Sequence, residues 1–186
     1  MSEIKAVIFD IGGVLVENPK YKEFWAKVKV KDSNKLRVLF GEGRISEKEF
    51  LRRGSEMMQI SEKEFYRRYK KRYWTGKLMK EAFIIYKNIK IKKYIFSDTN
   101  PIHQRYLNSK FKRLFKLADK IFLNKRKLYL SSYKHVLKEI NEKPENIILI
   151  DDKISEIKKA KKLGIKTILF QNSNKLKSEL KKLKVI

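Results

Sequence analysis

The chain has 186 residues, of which 42% are hydrophobic, so it can bury one substantial core with at most a small appended unit. It contains no cysteine, which excludes disulfides, thiolate metal ligands and a cysteine nucleophile. No run of about 18 uncharged apolar residues occurs, so no transmembrane helix is expected. The first residues lack a charged-then-apolar leader. We therefore expect a cytoplasmic protein.

The charge balance is strongly basic, with Lys+Arg 47 against Asp+Glu 21 and a formal net charge of +26. A field of this size attracts phosphate-bearing partners. The basic residues are nevertheless spread from Lys20 to Lys184, and the chain is rich in Lys and Ile, as a biased genome would produce. Nucleic acid therefore stays an alternative partner and is not the favoured one.

The first predicted element is a strand. The apolar run Ile4–Phe9 ends in Asp10, and Gly12 and Gly13 follow. This order predicts a buried strand that leads into a tight turn.

A helical region of roughly 70 residues follows, up to about residue 88. Ser46 and Ser61 each stand three residues before a Glu, which is the capping-box pattern of a helix start. Aromatic side chains recur at helical spacing after Ser61 and predict a buried face. We expect the following aromatic residues to form a helical core rather than a substrate shelf: Phe50, Phe65, Tyr69, Tyr73 and Trp74.

After residue 90, apolar runs alternate with amphipathic segments. Strands are predicted at residues 92–97, 120–123, 146–150 and 167–170, and helices at 103–117, 133–140, 155–163 and about 176–183. Such alternation predicts a Rossmann-like α/β fold, a parallel sheet flanked by helices. The helical region is then an insert after the first strand.

Polar residues follow the predicted strands at the points where ligands bind in such sheets. Asp10, Asp151 and Asp152 would repel one another unless a cation lay among them, and oxygen ligands suit Mg²⁺. A carboxylate beside a metal-held phosphate can act as nucleophile. Ser97 can donate a hydrogen bond to phosphate, and Lys127 can neutralise its charge. Taken singly, Asp10 also suits a turn, and the Asp151–Asp152 pair suits a helix N-cap.

Four segments in this order resemble the motifs of the haloacid dehalogenase (HAD) superfamily. They are FDIGGVLV at 9–16, FSDTN at 96–100, Lys127, and ILIDDKISEIKKAKKLGIKTILF at 148–170. GEGRISEKEF at 41–50 resembles a cap-helix signature of the branch with epoxide-hydrolase N-terminal domains and sugar-phosphate phosphatases. The resemblance covers nearly the whole chain.

The resemblance implies a Mg²⁺-dependent phosphatase. Asp10 would attack phosphorus and also bind Mg²⁺. The backbone carbonyl of Gly12 could be a further Mg²⁺ ligand. Asp152 would be the principal acidic metal ligand, with Asp151 assisting directly or through water.

The resemblance also implies how substrate is held. Ser97 and the backbone amide of Asp98 would hold the phosphoryl oxygens, and Lys127 would bridge nucleophile and phosphate. Residues 1–16 and 89–186 would form the α/β core, and residues 17–88 a helical cap that closes over the substrate. The implied substrate is a small phosphorylated metabolite, a sugar phosphate or a nucleotide.

The sequence departs from the family pattern at two positions. Family phosphatases usually carry a second Asp two residues after the nucleophile as general acid/base, whereas here Gly12 occupies that position. The third motif usually reads Lys-Pro, whereas Leu128 follows Lys127, and Lys125 is an alternative. Slow turnover is expected, since such acid/base groups typically contribute about 10²–10⁴-fold.

Several alternatives stay open at this point. The chain can be a dehalogenase that uses Asp10 on carbon, a chemistry that needs no metal. It can also be a catalytically impaired HAD-like protein whose basic surface binds nucleic acid, for example through the run at 67–72. His103 follows the second motif and can approach the active site, but we expect it on a helix surface. We also expect His135 to be exposed.

Overall fold

The computed structural model describes residues 3–18, 25, 29–73, 76–123 and 129–186. Its centre is a five-stranded sheet in which all neighbouring strands are parallel, in the order β3-β2-β1-β4-β5. The strands are β1 (Ala6–Phe9), β2 (Lys92–Ser97), β3 (Lys120–Leu123), β4 (Ile147–Asp151) and β5 (Lys166–Leu169). The predicted Rossmann-like fold class is confirmed.

Helices cover both faces of this sheet. Between β1 and β2 lie α1 (Val30–Gly41), α2 (Glu47–Met58), α3 (Glu62–Tyr73) and α4 (Lys80–Asn88). The later helices are α5 (Pro101–Lys110), α6 (Lys112–Lys116), α7 (Leu130–Ile140), α8 (Ile154–Lys161) and α9 (Ser173–Lys182). Every residue of β1 and β4 is buried, as continuous apolar strands require when both faces are covered.

The sheet divides the core into two apolar clusters. On one face, Ala6 and Ile8 of β1 pack with side chains of α7 and α8. On the other face, Val7 and Phe9 belong to a larger cluster that extends through α4, α5 and α9 into the helices that precede α4. Alternate residues of β1 therefore anchor the two layers, as the strand period of two dictates.

The helices between β1 and β2 begin where the capping pattern predicts. Ser46 Oγ accepts a hydrogen bond from the amide of Glu49 at 3.1 Å, and Ser61 Oγ accepts one from the amide of Glu64 at 3.2 Å. Because these bonds satisfy amide donors that the helix itself leaves unpaired, they fix the starts of α2 and α3.

The predicted aromatic core of this helical region is confirmed for Phe50, Phe65 and Tyr69, which are all buried. The Phe50 ring stacks on Phe40 with centroids 4.2 Å apart and meets the Tyr69 ring at 4.9 Å. The side chains of Tyr73 and Trp74 lie outside the described residues. α4 packs against α9 of the α/β layer. The division into a core and a cap that ends at residue 88 stays a prediction.

The single helix predicted at 103–117 is two helices, α5 and α6. The chain turns at Phe111, whose φ of −116° and ψ of 33° are not helical. Its side chain is buried and meets the Tyr106 ring edge-on at 6.0 Å. Local propensity favours one continuous helix, but the buried position of the Phe111 ring goes with a break in the helix at this residue.

The basic run at 67–72 is partly neutralised within its own helix. Arg67 and Arg68 both pair with Glu64, and Tyr69 turns inward to the core.

Within the described ranges, no helix is long and apolar enough to cross a membrane.

Candidate active site

The sheet register brings Asp10 alongside Asp151. Phe9 is paired with Ile150 of β4, so the next residue of each strand lies side by side at the carboxyl edge. The amide of Asp10 continues the ladder by donating to the carbonyl of Ile150 at 3.0 Å. Asp10 is 3% exposed and Asp151 is fully buried. Two carboxylates therefore meet at the ends of the two central strands.

A third carboxylate completes a cluster. Asp10, Asp151 and Asp152 each offer an oxygen that lies within 4.8 Å of the other two. Oδ1 of Asp152 is buried and has no hydrogen-bond partner among the described residues. A buried, unpartnered carboxylate oxygen is costly unless a cation binds it. The cluster therefore fits a hard divalent cation such as Mg²⁺.

The alternative in which the Asp pair caps a helix is not what the structure contains. The N-cap residue of α8 is Lys153, with no side-chain cap. Asp151 instead ends β4, and its Oδ1 accepts a hydrogen bond from the amide of Lys153 at 2.9 Å. This bond holds one oxygen of Asp151 against the backbone, which orients the carboxylate.

The predicted turn after β1 wraps around the cluster. Gly13 has a φ of +79°, and a Cβ there would lie 2.1 Å from Oδ2 of Asp152. The same oxygen accepts a hydrogen bond from Nδ2 of Asn18 at 3.0 Å. Nothing in the sequence pattern had singled out Asn18.

A cavity of about 670 Å³ opens in front of Asp10. Asp10, Gly12 and Asp98 line its sheet side, whereas Arg37 of α1 and Tyr69 of α3 line the side formed by the helices between β1 and β2. Its volume lies within the usual range for small-molecule sites, about 300–1,000 Å³. The cavity thus presents a buried carboxylate to a ligand of small-molecule size.

Residues 4–164 match the family model of haloacid dehalogenase-like hydrolases. The chain belongs to this family. A curated relative, drimenol cyclase drtB of Aspergillus calidoustus, is 31% identical over 68 residues, which are 34% of this chain. The chain spans 13% of that relative's length.

Solved structures share the fold of this HAD-like hydrolase. A HAD family enzyme of Bacteroides thetaiotaomicron is 21% identical with a TM-score of 0.78, over 91% of this chain and 95% of its own. The structure of the same enzyme in complex with magnesium and inorganic phosphate has a TM-score of 0.74, over 90% of this chain and 94% of its own. L-2-haloacid dehalogenase of Xanthobacter autotrophicus is 16% identical, with a TM-score of 0.64 over 99% of this chain and 85% of its own.

The second motif of this HAD-like hydrolase ends β2 and starts α5. Ser97 is the last residue of β2 and is buried, and Asp98 is exposed at the cavity. Asn100 caps α5 by accepting from the amide of His103 at 3.0 Å, and its Nδ2 donates to the Tyr69 hydroxyl at 3.3 Å. This motif therefore also connects the sheet edge to α3.

The prediction that His103 lies on a helix surface is wrong. His103 is half-buried and lines the cavity, with Nδ1 3.2 Å from the hydroxyl of Thr99. His103 lies in the first turn of α5, which follows the end of β2. This position in the sequence is the signal that places His103 near the carboxyl edge of the sheet. Lys127 and the alternative Lys125 lie in 124–128, outside the described residues.

A buried hydrogen bond joins α7 to α8 near Asp151. The hydroxyl of Tyr133 donates to Oε2 of Glu156 at 2.7 Å, and Glu156 also pairs with Lys159 at 2.8 Å. Burial raises the pKa of Tyr133 well above its usual range, and the neighbouring Glu156 and Asp151 carboxylates raise this pKa further. Tyr133 therefore stays a neutral hydrogen-bond donor to Glu156.

Proposed function

We propose that this HAD-like hydrolase cleaves phosphate monoesters in a Mg²⁺-dependent reaction with Asp10 as the covalent nucleophile. The observation that carries the proposal is the cluster of three carboxylates, in which Oδ1 of Asp152 is buried and has no hydrogen-bond partner in the part of the chain that the structure describes. Its member Asp10 lines a cavity of small-molecule size.

The residues of the cluster would divide the work. Asp152, Asp151 and the carbonyl of Gly12 would hold the cation together with one oxygen of Asp10. Mg²⁺ bound there would neutralise the charge of the phosphoryl oxygens. The Ser97 hydroxyl and the Asp98 amide would donate hydrogen bonds to these oxygens, and Lys127 would add a positive charge.

The reaction would proceed in two displacements. A carboxylate oxygen of Asp10 forms a bond to phosphorus while the ester P–O bond breaks, and the leaving alkoxide takes a proton from water. Water then attacks phosphorus, the P–O bond to Asp10 breaks, and inorganic phosphate leaves. Gly12 carries no proton-transferring side chain, so turnover is expected to be slower by about 10²–10⁴-fold than with a positioned acid/base.

The substrate would be a small phosphorylated metabolite, a sugar phosphate or a nucleotide. Residues 17–88 would act as the cap, with Arg37 and Tyr69 facing the bound molecule across the cavity. The similar Bacteroides enzyme has been crystallised with magnesium and inorganic phosphate, which supports this chemistry.

Dehalogenation is the second candidate, and the shared fold with L-2-haloacid dehalogenase favours it. Displacement of halide from carbon has no need of a metal, whereas Asp151 and Asp152 add two carboxylates that a cation must compensate. The carboxylate cluster therefore favours phosphoryl transfer.

The test is product release from a panel with and without Mg²⁺. The panel holds sugar phosphates, nucleotides, an oligonucleotide with a terminal phosphate, and 2-haloacids. We expect Mg²⁺-dependent release of phosphate. Halide release without metal would overturn the proposal in favour of dehalogenation. A salt-dependent gel shift with nucleic acid and no product release would favour the impaired binding protein.

A further inference from the structure

The two glycines after the nucleophile leave a space that the side chain of Asn18 fills. A Cβ at Gly12 would lie 2.8 Å from Oδ1 of Asn18, and a Cβ at Gly13 would lie 2.6 Å from its Nδ2. Both distances are below 3.0 Å, which real Cβ atoms essentially never show. Side chains at either position are therefore incompatible with Asn18 where it stands.

The Asn18 carboxamide binds one of the two carboxylate oxygens of Asp152 and does not contact the other. Its Nδ2 donates to Oδ2 of Asp152 at 3.0 Å, while Oδ1 of Asp152 is buried without a partner among the described residues. A carboxylate that is held at one oxygen cannot turn its other oxygen away at no cost. The hydrogen bond thus fixes the direction in which Asp152 offers Oδ1.

The backbone brings Asn18 to this place through a short ladder. The amide of Glu17 donates to the carbonyl of Lys77 at 2.9 Å, and the amide of Met79 donates to the carbonyl of Leu15 at 2.9 Å. These bonds tie the segment before Asn18 to the chain that enters α4. Asn18 therefore follows a segment that backbone hydrogen bonds anchor to the chain entering α4.

We propose that Asn18 is a positioning residue for the cation site, holding Asp152 in the rotamer that presents Oδ1 to a divalent cation. The proposal rests on the metal site of the proposed function. It also explains the glycine pair, since Gly12 and Gly13 provide the room that the Asn18–Asp152 bond needs. Outer-sphere partners of this kind typically change metal affinity or activity by about 10–100-fold.

The test measures Mg²⁺ affinity directly by isothermal titration calorimetry, so it does not depend on turnover. We expect Asn18→Ala and Asn18→Leu each to weaken Mg²⁺ binding by about 10–100-fold. Leu keeps a similar volume and lacks the donor, so wild-type affinity in Asn18→Leu would reduce Asn18 to a space filler and overturn the proposal. Asn174→Ala, an exposed Asn of α9, is the matched control and is expected to bind as the wild type does.

A double-mutant cycle separates positioning from general damage. Gly12→Ala pushes the Asn18 carboxamide away, so it is expected to weaken Mg²⁺ binding as Asn18→Ala does. The two losses should not add in the double variant, because both break one hydrogen bond. Full additivity, or no loss in either single variant, would overturn the proposal. Thermal melts without metal check that each variant is folded.

The outcomes distinguish this inference from the proposed function. Wild type that binds Mg²⁺ and hydrolyses esters, with an Asn18→Ala variant of equal affinity, overturns only the role of Asn18. Wild type that binds Mg²⁺ and hydrolyses none of the panel, with weaker binding in Asn18→Ala, overturns only the phosphatase. Wild type that does not bind Mg²⁺ overturns both.

Discussion

Substitution of Gly13 by Ala should weaken the cation site because the new Cβ would displace Asp152. Gly164→Ala is the control, since it introduces the same backbone strain without that contact. Gly13 and Gly164 both have left-handed backbones, with φ of +79° and +77°. A Cβ in this region costs roughly 1–2 kcal/mol. At Gly164 the new Cβ would be 3.6 Å from Pro144, which is ordinary contact, whereas at Gly13 it would be 2.1 Å from Oδ2 of Asp152.

Gly164→Ala is expected to lose about 1–2 kcal/mol in urea unfolding without metal, and Gly13→Ala is expected to lose at least as much, because both place a Cβ in the left-handed region. Only Gly13→Ala must also displace Asp152, because the contact is more than an ångström shorter than the 3.4 Å at which ordinary contact begins. Mg²⁺ binding should weaken by about 10–100-fold in Gly13→Ala and stay unchanged in Gly164→Ala. Equal Mg²⁺ affinity in the two variants would refute the placement of Asp152 against the turn.

Three further substitutions test packing and charge by denaturant unfolding. Gly54→Ala should lose about 1–2 kcal/mol, because its Cβ would lie 2.2 Å from Cζ of the buried Phe65. Tyr133→Phe should lose about 1–3 kcal/mol, because it removes the buried donor to Glu156. Hydrogen bonds from two arginines lower the pKa of Glu49 to about 2. The ionised Glu49 therefore stabilises the folded protein fully above the usual carboxyl pKa, and this contribution is lost as the pH falls to about 2. The stability difference between wild type and Glu49→Gln should therefore shrink between about pH 5 and about pH 2.

Each of these expectations has a contrary result. Gly41→Ala is the matched control for Gly54, since nothing lies within 4 Å of a Cβ there, and it should be neutral or slightly stabilising. A Gly54→Ala variant as stable as Gly41→Ala would contradict the close packing of α2 on α3. An unchanged Tyr133→Phe variant would contradict the buried hydrogen bond to Glu156. A pH-independent difference for Glu49→Gln would show that its arginine pairs do not form in solution.

The strands and the carboxylate cluster could be predicted because their signals are local. β2 and β3 occupy the predicted residues, and β4 begins one residue later than the run at 146–150 predicts. A short apolar run that ends in Asp is readable without tertiary information, and parallel strands carry their carboxyl ends to one edge. This is why Asp10, Asp151 and Asp152 could be grouped before any distance was known.

The contacts that complete the site could not be predicted because they join segments far apart in the sequence. Asn18 lies 134 residues from Asp152, and no spacing rule links them. His103 enters the cavity because α5 starts at the sheet edge, and Phe111 ends that helix because its ring is buried. In each case a tertiary contact overrides what the local pattern favours.

The most direct test of the central claim compares Asp10→Asn with wild type in Mg²⁺-dependent phosphate release from the best ester of the panel. Asp32→Asn, an exposed carboxylate in the first turn of α1, is the matched control. The account predicts a loss of at least about 10³-fold for Asp10→Asn, as expected when a covalent nucleophile is removed, and unchanged release for Asp32→Asn. Full Mg²⁺-dependent release by Asp10→Asn would contradict the assignment of Asp10 as nucleophile.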